Sequence, residues 1–239
     1  MYDVFMSRVD GFPKVGIREI IKKTNSGVDL APSHLDLVGA DPYMYSLKDR
    51  AGVLKQALEE VRDSYDMILI DTPPSMGQFV INGLYAADHV VITLDSGTFA
   101  LNGVATLTTI FGDMKTDLGR EIHPDMAIVT RWGETGTVEC PTPEPEGQDI
   151  FLRVRAFFYK PRKPSPEEER AAHEKKREQD RLDLMLAEIS RRFSKVFTVP
   201  YSPEITAAQQ RGLPISHFAP ESSAGAAYKI IADEVMRWI

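Results

Sequence analysis

The sequence predicts an α/β fold with a doubly wound, mainly parallel sheet and helices on both faces. Short apolar runs of strand length alternate with stretches in which apolar residues recur at helical spacing. The runs are continuous, which is typical of strands that are buried on both faces. With 239 residues and 43% hydrophobic content, the chain can bury a substantial core. Alternation of this kind predicts crossover connections and therefore a parallel sheet.

The predicted elements begin with a helix and a strand in the first third of the chain. Leu54, Leu58 and Val61 recur at helical spacing, and the run "MILI" then predicts a buried strand that ends at Asp71. The elements that follow are a helix at 77–87, the strand "HVVITLD", a helix at about 101–111, the strand "MAIVT", the strand "KVFTVP" and a closing helix at 222–239.

Residues 131–194 interrupt this alternation, and we interpret them as an insertion in a single domain that spans residues 1–239. The first part is rich in Pro, Gly and Glu and then becomes aromatic and basic, which is typical of a long loop with an alternating strand or hairpin. Ser165 then fits a helix N-cap, Pro166 the first helical position and Glu168 a capping box, so we expect a helix to about Phe193.

The two halves of that long helix differ in composition. The first half, "EEERAAHEKKREQDR", is charged on nearly all sides and is predicted to be solvated. The second half carries one apolar stripe that is predicted to dock on the domain, formed by Leu182, Met185, Leu186 and Ile189.

Composition restricts the class of protein. The single cysteine, Cys140, excludes an internal disulfide and a Cys-rich metal site, so a reducing compartment is the simplest setting. No apolar run approaches the roughly 18 to 20 residues of a membrane span, and the first residues do not resemble a secretion signal. We therefore expect a cytoplasmic protein without a membrane span. The net charge of −7 disfavours a wholly electrostatic nucleic-acid binder.

Asp71 is the first candidate site residue. An aspartate at the carboxyl end of a buried parallel strand lies where open α/β sheets bind ligands, and in phosphate-handling enzymes it orders a magnesium ion. The alternative is that Asp71 only caps the turn formed by Thr72, Pro73 and Pro74.

The longer stretch "YDMILIDTPPSMGQFVINGLYAADHVVITLDSGTFALNGV" resembles the Walker B region of the ParA/MinD family of deviant P-loop ATPases, particularly the ParA (Soj) branch of chromosome and plasmid partition. "MYDVF", "GVDLAPSHLDLVGAD" and "VPYSPEITAAQQRGLPISHFAPESSAGAAYKIIADEV" are similar to further segments of that family. The resemblance covers most of the chain outside the insertion.

The resemblance implies a P-loop NTPase-like fold and an ATP hydrolase that switches between monomer and dimer with Mg-ATP, for DNA segregation or cargo positioning. It places Asp71 at Mg²⁺ through water, and it places Thr72, Pro73 and Pro74 in the switch loop. Thr130 and Arg131, and more closely Pro200, Tyr201 and Ser202, match the loops that flank the base. Thr130 and Arg131 could equally be a polar pair at a strand end. The implied partners are a second copy or a ParA-like partner ATPase, a ParB-like regulator and non-specific DNA.

The motif that defines the family, a Gly-rich phosphate loop with its lysine, is missing from the sequence. No G-x-x-x-x-G-K-[ST] stretch occurs, and "GETGTV" and "GDMKTDLGR" lack the spacing and a lysine at the position that bridges the phosphates. "MYDVF" matches a position just downstream of that block in the family, so Met1 looks like an internal methionine of a longer protein; the alternative is a natural variant that lost the block. We therefore expect ATP binding by this chain to be impaired, and we expect "MILI" to lack a neighbouring strand.

The sequence is also compatible with a second class of function. The chain could be a nucleotide-independent scaffold or regulator that keeps the ParA-like dimer surface and pairs with an intact ATPase.

A basic stripe with interleaved aromatic residues could contact nucleic acid, although a hairpin that packs its aromatic residues on the domain explains the pattern too. Its basic members are Arg153, Arg155, Lys160, Arg162 and Lys163. Histidines are not spaced with a second ligand for a metal site of protein ligands alone, and His173 lies on the solvated helix face.

Overall fold

The computed structural model describes residues 1–73, 77–95, 100–133 and 166–239. The chain divides into two compact units. Unit 1 comprises Met1–Ile92, Val104–Asp125 and Asp233–Ile239, and unit 2 comprises Thr93–Gly103 and Met126–Ala232. The assignment of residues 1–239 to a single domain stays a prediction.

Unit 1 is built mainly from short helices. They are α1 (Tyr2–Met6), α2 (Ile17–Ile20), α3 (Asp41–Met44), α4 (Val53–Leu58) and α5 (Gln78–Ala86), with 3-10 turns at Leu35–Ala40, Arg62–Ser64 and Met236–Trp238. A small antiparallel hairpin joins β1 (Lys22–Lys23) to β2 (Asp29–Leu30). The core of this unit forms where α1 places Val4, Phe5 and Met6 against α4 and its neighbours. Burial of a side chain of this size contributes about 1.5 to 3 kcal/mol.

Unit 2 is organised around a sheet with the order β3–β4–β5. The strands are β3 (Val91–Asp95), whose last three residues belong to this unit, β4 (Met126–Trp132) and β5 (Val196–Pro200). β4 and β5 are parallel, with Ala127 opposite Val196 and Val129 opposite Thr198. The α/β class with a parallel sheet and the three strands "HVVITLD", "MAIVT" and "KVFTVP" are thereby confirmed.

The remaining helices agree with the sequence pattern in type and differ in length. α6 (Ala100–Leu118) extends about two turns further at its C-terminal end than the predicted helix. Its residues are divided between the two units. Unit 2 also contains α7 (Pro166–Arg192), α8 (Pro203–Gln210) and α9 (Ile215–Phe218). The predicted closing helix is α10 (Ser223–Val235), followed by the 3-10 turn.

The prediction of a buried strand at "MILI" is wrong. Residues 67–73 form no strand, and their backbone has no hydrogen-bond partner among the described residues. Ile70 packs on the α1–α4–α5 core, but Leu69 is 82% exposed and Ile68 is 38% exposed. An apolar run becomes a strand only when a neighbour shares its backbone hydrogen bonds, and within the described ranges no neighbour does so.

The long helix is confirmed as α7, although Ser165, its predicted N-cap, lies outside the described residues. Leu182, Met185 and Ile189 are buried, as the apolar stripe predicts. The first-half side chains that the structure describes are exposed, and they are Arg170, His173, Lys176, Arg177, Gln179 and Asp180.

Hydrogen exchange should therefore separate the two halves of α7. We expect the amides of residues 182–192 to exchange more slowly than those of residues 170–180, because only the second half is held by buried side chains. Mass-spectrometric exchange on the intact chain measures this directly. Equal or greater protection of the first half would contradict the assignment of the solvated and docked halves.

Candidate functional site

The Asp71 segment is the first candidate site and belongs to unit 1. Asp71, Thr72 and Pro73 are all exposed, and Pro74 lies outside the described residues. The Asp71 carboxylate makes no hydrogen bond or ion pair with the rest of the described chain. An exposed carboxylate without a protein partner is free to accept a hydrated cation.

Close packing on α5 holds this segment in place. A Cβ atom added at Gly83 would lie 2.8 Å from Thr72 Cγ2 and 3.4 Å from Ile70 Cγ2, so only glycine allows the segment to approach the helix this closely. The position of Asp71 therefore depends on how α5 is fixed in unit 1.

Asn82 on α5 fixes that helix to the segment before α4. Its side chain is fully buried, and its Oδ1 accepts a hydrogen bond from the Leu54 amide at 3.1 Å. Its Nδ2 donates to the carbonyl oxygens of Arg50 at 2.7 Å and Gln78 at 2.8 Å. The sequence reveals this asparagine only as part of the family resemblance, and its role as a structural link depends on the tertiary contacts.

Replacement of Asn82 by alanine should lower the free energy of unfolding by about 2 to 4 kcal/mol, because the Leu54 amide would stay buried without a partner and the Arg50 and Gln78 carbonyls would lose hydrogen bonds. Urea denaturation of the intact chain measures this loss. Asn25→Ala serves as the matched control, since Asn25 is an exposed residue of the β1–β2 turn. A loss below about 1 kcal/mol for N82A would show that the network contributes little.

A separate candidate site lies in unit 2, at the carboxyl ends of β4 and β5. Thr130 and Arg131 lie near the end of β4, and Pro200, Tyr201 and Ser202 lie at the end of β5. Trp132 is paired with Pro200, and the Tyr201 amide donates to the Trp132 carbonyl at 3.0 Å. The structure therefore brings the two predicted base-side motifs together at one edge of the sheet.

Arg131 has an unusual backbone conformation at this edge. Its φ is +57°, in the left-handed region, and it lies where the register between β4 and β5 shifts between Val129 and Trp132. Non-glycine residues rarely adopt this conformation, and they are often found at functional sites when they do. The Arg131 guanidinium lies 4.0 Å from the Asp95 carboxylate at the end of β3. Thr130 Oγ1 donates to the Leu94 carbonyl at 3.1 Å, which ties β4 to the same end of β3.

Sequence reasoning did not select Asp95 and Trp132 as members of this edge. Asp95 ends the apolar run "HVVITLD", which the sequence predicts as a strand, so its position was a usable signal. Trp132 had no such signal, because the β-bulge that places it opposite Pro200 depends on strand pairing.

Ser202 and Glu204 complete the edge at the start of α8. The Ser202 hydroxyl donates to Glu204 Oε2 at 2.5 Å, and this hydrogen bond lowers the pKa of the Glu204 carboxyl, with a further backbone contribution. Ser202 is buried, whereas Tyr201 is 42% exposed. Tyr201 is therefore the side chain of this loop that is available to a ligand.

The other predicted site residues do not join these two groups. The stripe from Arg153 to Lys163 lies outside the described residues. His173 is exposed on α7. Within the described ranges, no cluster of three or more His, Cys, Asp or Glu side chains could hold a metal ion.

The length and hydropathy of the helices bear on membrane spanning. Of the helices that the structure describes, none is long and apolar enough to cross a membrane.

Comparison with known proteins places these groups in a family. The sequence model of the AAA_31 family, described as an AAA domain, matches residues 1–124, just over half of the chain. The sporulation initiation inhibitor protein Soj of Bacillus subtilis is 37% identical over 131 residues, which cover 54% of this chain and 49% of that protein. The chromosome-partitioning ATPase Soj of Treponema pallidum is 27% identical over 207 residues, which cover 86% and 65%. The chain belongs to the ParA/MinD family.

Solved structures support the fold of this ParA/MinD-family chain. A variant of McdA from Cyanothece, in its ATP complex, has a TM-score of 0.62 at 19% identity, with coverage of 94% of this chain and 71% of that one. Cobyrinic acid a,c-diamide synthase of Mycobacterium smegmatis, with bound ADP and magnesium, has a TM-score of 0.59 at 21% identity, with coverage of 99% and 70%. At these identities the likeness concerns the fold alone.

The chain spans about half the length of the curated relatives that it matches, for example 44% of an uncharacterized Methanocaldococcus jannaschii protein and 65% of the Treponema protein. The residues present fit only part of a Mg-nucleotide site. Asp71 offers a free carboxylate, and the edge at Tyr201 offers an exposed ring, but the sequence holds no loop of backbone N–H groups and lysine for a triphosphate.

Proposed function

We propose that this chain is the Walker B and base-side portion of a ParA-like partition ATPase, which uses Mg-ATP to switch between monomer and dimer in DNA segregation or cargo positioning. The observation that carries the proposal is the free, exposed Asp71 carboxylate directly before Thr72 and Pro73 in a chain of the ParA/MinD family. The relatives named as chromosome-partitioning proteins support the biological role.

Each candidate site has a role in this proposal. Asp71 holds a magnesium ion through water, and Thr72, Pro73 and Pro74 shape the loop that follows. Thr130 and Arg131, together with the loop Pro200–Ser202, flank the base. The dimer partner is a second copy or a related ATPase, and a ParB-like regulator and non-specific DNA are the further partners. Arg153, Arg155, Lys160, Arg162 and Lys163 are proposed as contacts to nucleic acid.

The phosphate-binding loop is the part that these residues lack, so we propose that the chain by itself is impaired in ATP binding. Catalysis of phosphoryl transfer relies on electrostatic stabilisation by that loop and its lysine. A loop supplied from outside these 239 residues would have to complete the site.

A chimera tests the proposal. A Soj-derived segment, chosen to contain a G-x-x-x-x-G-K-[ST] phosphate loop, is joined ahead of Met1, and ATP hydrolysis is measured with and without magnesium. We expect magnesium-dependent hydrolysis that Asp71→Asn reduces by about a hundredfold, since a lost electrostatic contact at the transition state has this size of effect.

Asp66→Asn is the matched control, because Asp66 is an exposed aspartate five residues before Asp71 on the same segment. A chimera that folds by circular dichroism but does not hydrolyse ATP, or that loses activity equally in D66N, contradicts the assigned site. A chimera that does not hydrolyse ATP but still associates with an intact ATPase would favour the scaffold function.

A further inference from the structure

The loop after α5 holds an imidazole between a carboxylate and an indole ring, and all three groups belong to unit 1. His89 Nδ1 lies 3.0 Å from Asp125 Oδ1. The ring of Trp238, on the 3-10 turn Met236–Trp238, stacks on the His89 ring with 4.5 Å between centroids and 11° between planes. The 3-10 turn is therefore attached to this loop through the face of a titratable ring.

Asp125 is held independently of the histidine. Its Oδ2 accepts a hydrogen bond from the Val90 amide at 2.8 Å, and its own amide donates to the Val90 carbonyl at 2.9 Å. The carboxylate thus stays beside His89 in either protonation state of the imidazole. Both side chains are partly exposed, so protons reach them from solvent.

The other charged groups on the surrounding elements have partners of their own. Glu121 pairs with Lys115 at 2.6 Å and lies 3.6 Å from His123, and Arg237 pairs with Glu234 at 2.6 Å. Arg120 donates to the Ala87 carbonyl, and Asp88 is exposed to solvent. Asp125 is therefore the carboxylate that the structure places in contact with His89.

We propose that His89 is a proton-sensitive latch for the 3-10 turn Met236–Trp238. Protonation adds a positive charge to the hydrogen bond with the Asp125 carboxylate and places a cation on the face of Trp238. Both changes tighten the attachment, and loss of the proton weakens both. The latch therefore closes on acidification and opens when the imidazole loses its proton.

Fluorescence of Trp238 tests the latch. Trp132→Phe leaves Trp238 as the one indole, since the sequence has two tryptophans. An imidazolium stacked on indole quenches its emission by electron transfer, so we expect the intensity to fall from about pH 8 to about pH 5. The acrylamide quenching constant should fall about twofold over the same range, because a tighter stack on His89 shields the indole ring from the quencher.

Variants distinguish a contact that depends on protonation of His89 from a contact that is the same at every pH. In the W132F background, His89→Asn should abolish the pH transition, and Asp125→Asn should reduce its amplitude, because the carboxylate that holds the imidazolium is lost. His123→Asn is the matched control, since His123 is an exposed histidine two residues from Asp125 and should leave the transition unchanged. Circular dichroism confirms that each variant folds. A transition that survives H89N, or an acrylamide constant that does not change with pH, would overturn the proposal.

Discussion

Calorimetric titration of the 239-residue chain with Mg-ATP should show no binding tighter than about 1 mM, which corresponds to about −4 kcal/mol. A phosphate loop supplies several convergent backbone N–H donors and a lysine, and these groups provide the principal recognition of a triphosphate. The sequence contains no such loop. The base-side edge at Thr130, Arg131 and Tyr201 offers few contacts in its place.

The Soj chimera is the positive control for this titration, because it adds the loop and leaves every residue of the chain unchanged. Micromolar affinity in the chain alone would contradict the prediction and would mean that another group of residues recognises the phosphates. Weak binding by the chain and micromolar binding by the chimera would assign the recognition to the added loop.

The second prediction with a large expected effect concerns self-association of the isolated chain. Residues 67–73 present backbone N–H and C=O groups without partners in the described part of the chain, together with the exposed side chain of Leu69. An extended apolar segment with free edges pairs readily with other chains. We therefore expect the isolated chain to form oligomers or to have low solubility, with a sedimentation coefficient that rises with protein concentration.

Leu69→Lys should restore a monomer over the same concentrations, because a lysine on an exposed strand edge opposes pairing. Leu184→Lys is the matched control, since Leu184 is 73% exposed but lies on α7, whose interior backbone groups are paired within the helix. A wild-type chain that sediments as a stable monomer at high concentration would contradict the assignment of this segment as the association site. An equal response of L69K and L184K would contradict it as well.

The local sequence pattern was sufficient to predict most helices and strands of this chain. The strands β3, β4 and β5 are continuous apolar runs that end at turn residues, and α7 begins at the predicted proline and buries the predicted stripe of Leu182, Met185 and Ile189. These features depend on neighbours along the chain, so their signal is present in the sequence itself. The same applies to the family, because its motifs are contiguous.

The sequence by itself determined the α/β class, the family and the absence of a G-x-x-x-x-G-K-[ST] motif from these 239 residues. Only the tertiary structure decided that "MILI" forms no strand, that Asn82 links α5 to α4, that Arg131 adopts a positive φ beside Asp95, and that His89 lies between Asp125 and Trp238. Each of these outcomes depends on residues far apart in the chain. A strand needs a partner for its backbone hydrogen bonds, and a buried amide or a stacked ring needs a neighbour that folding supplies, so local sequence carries no signal for them.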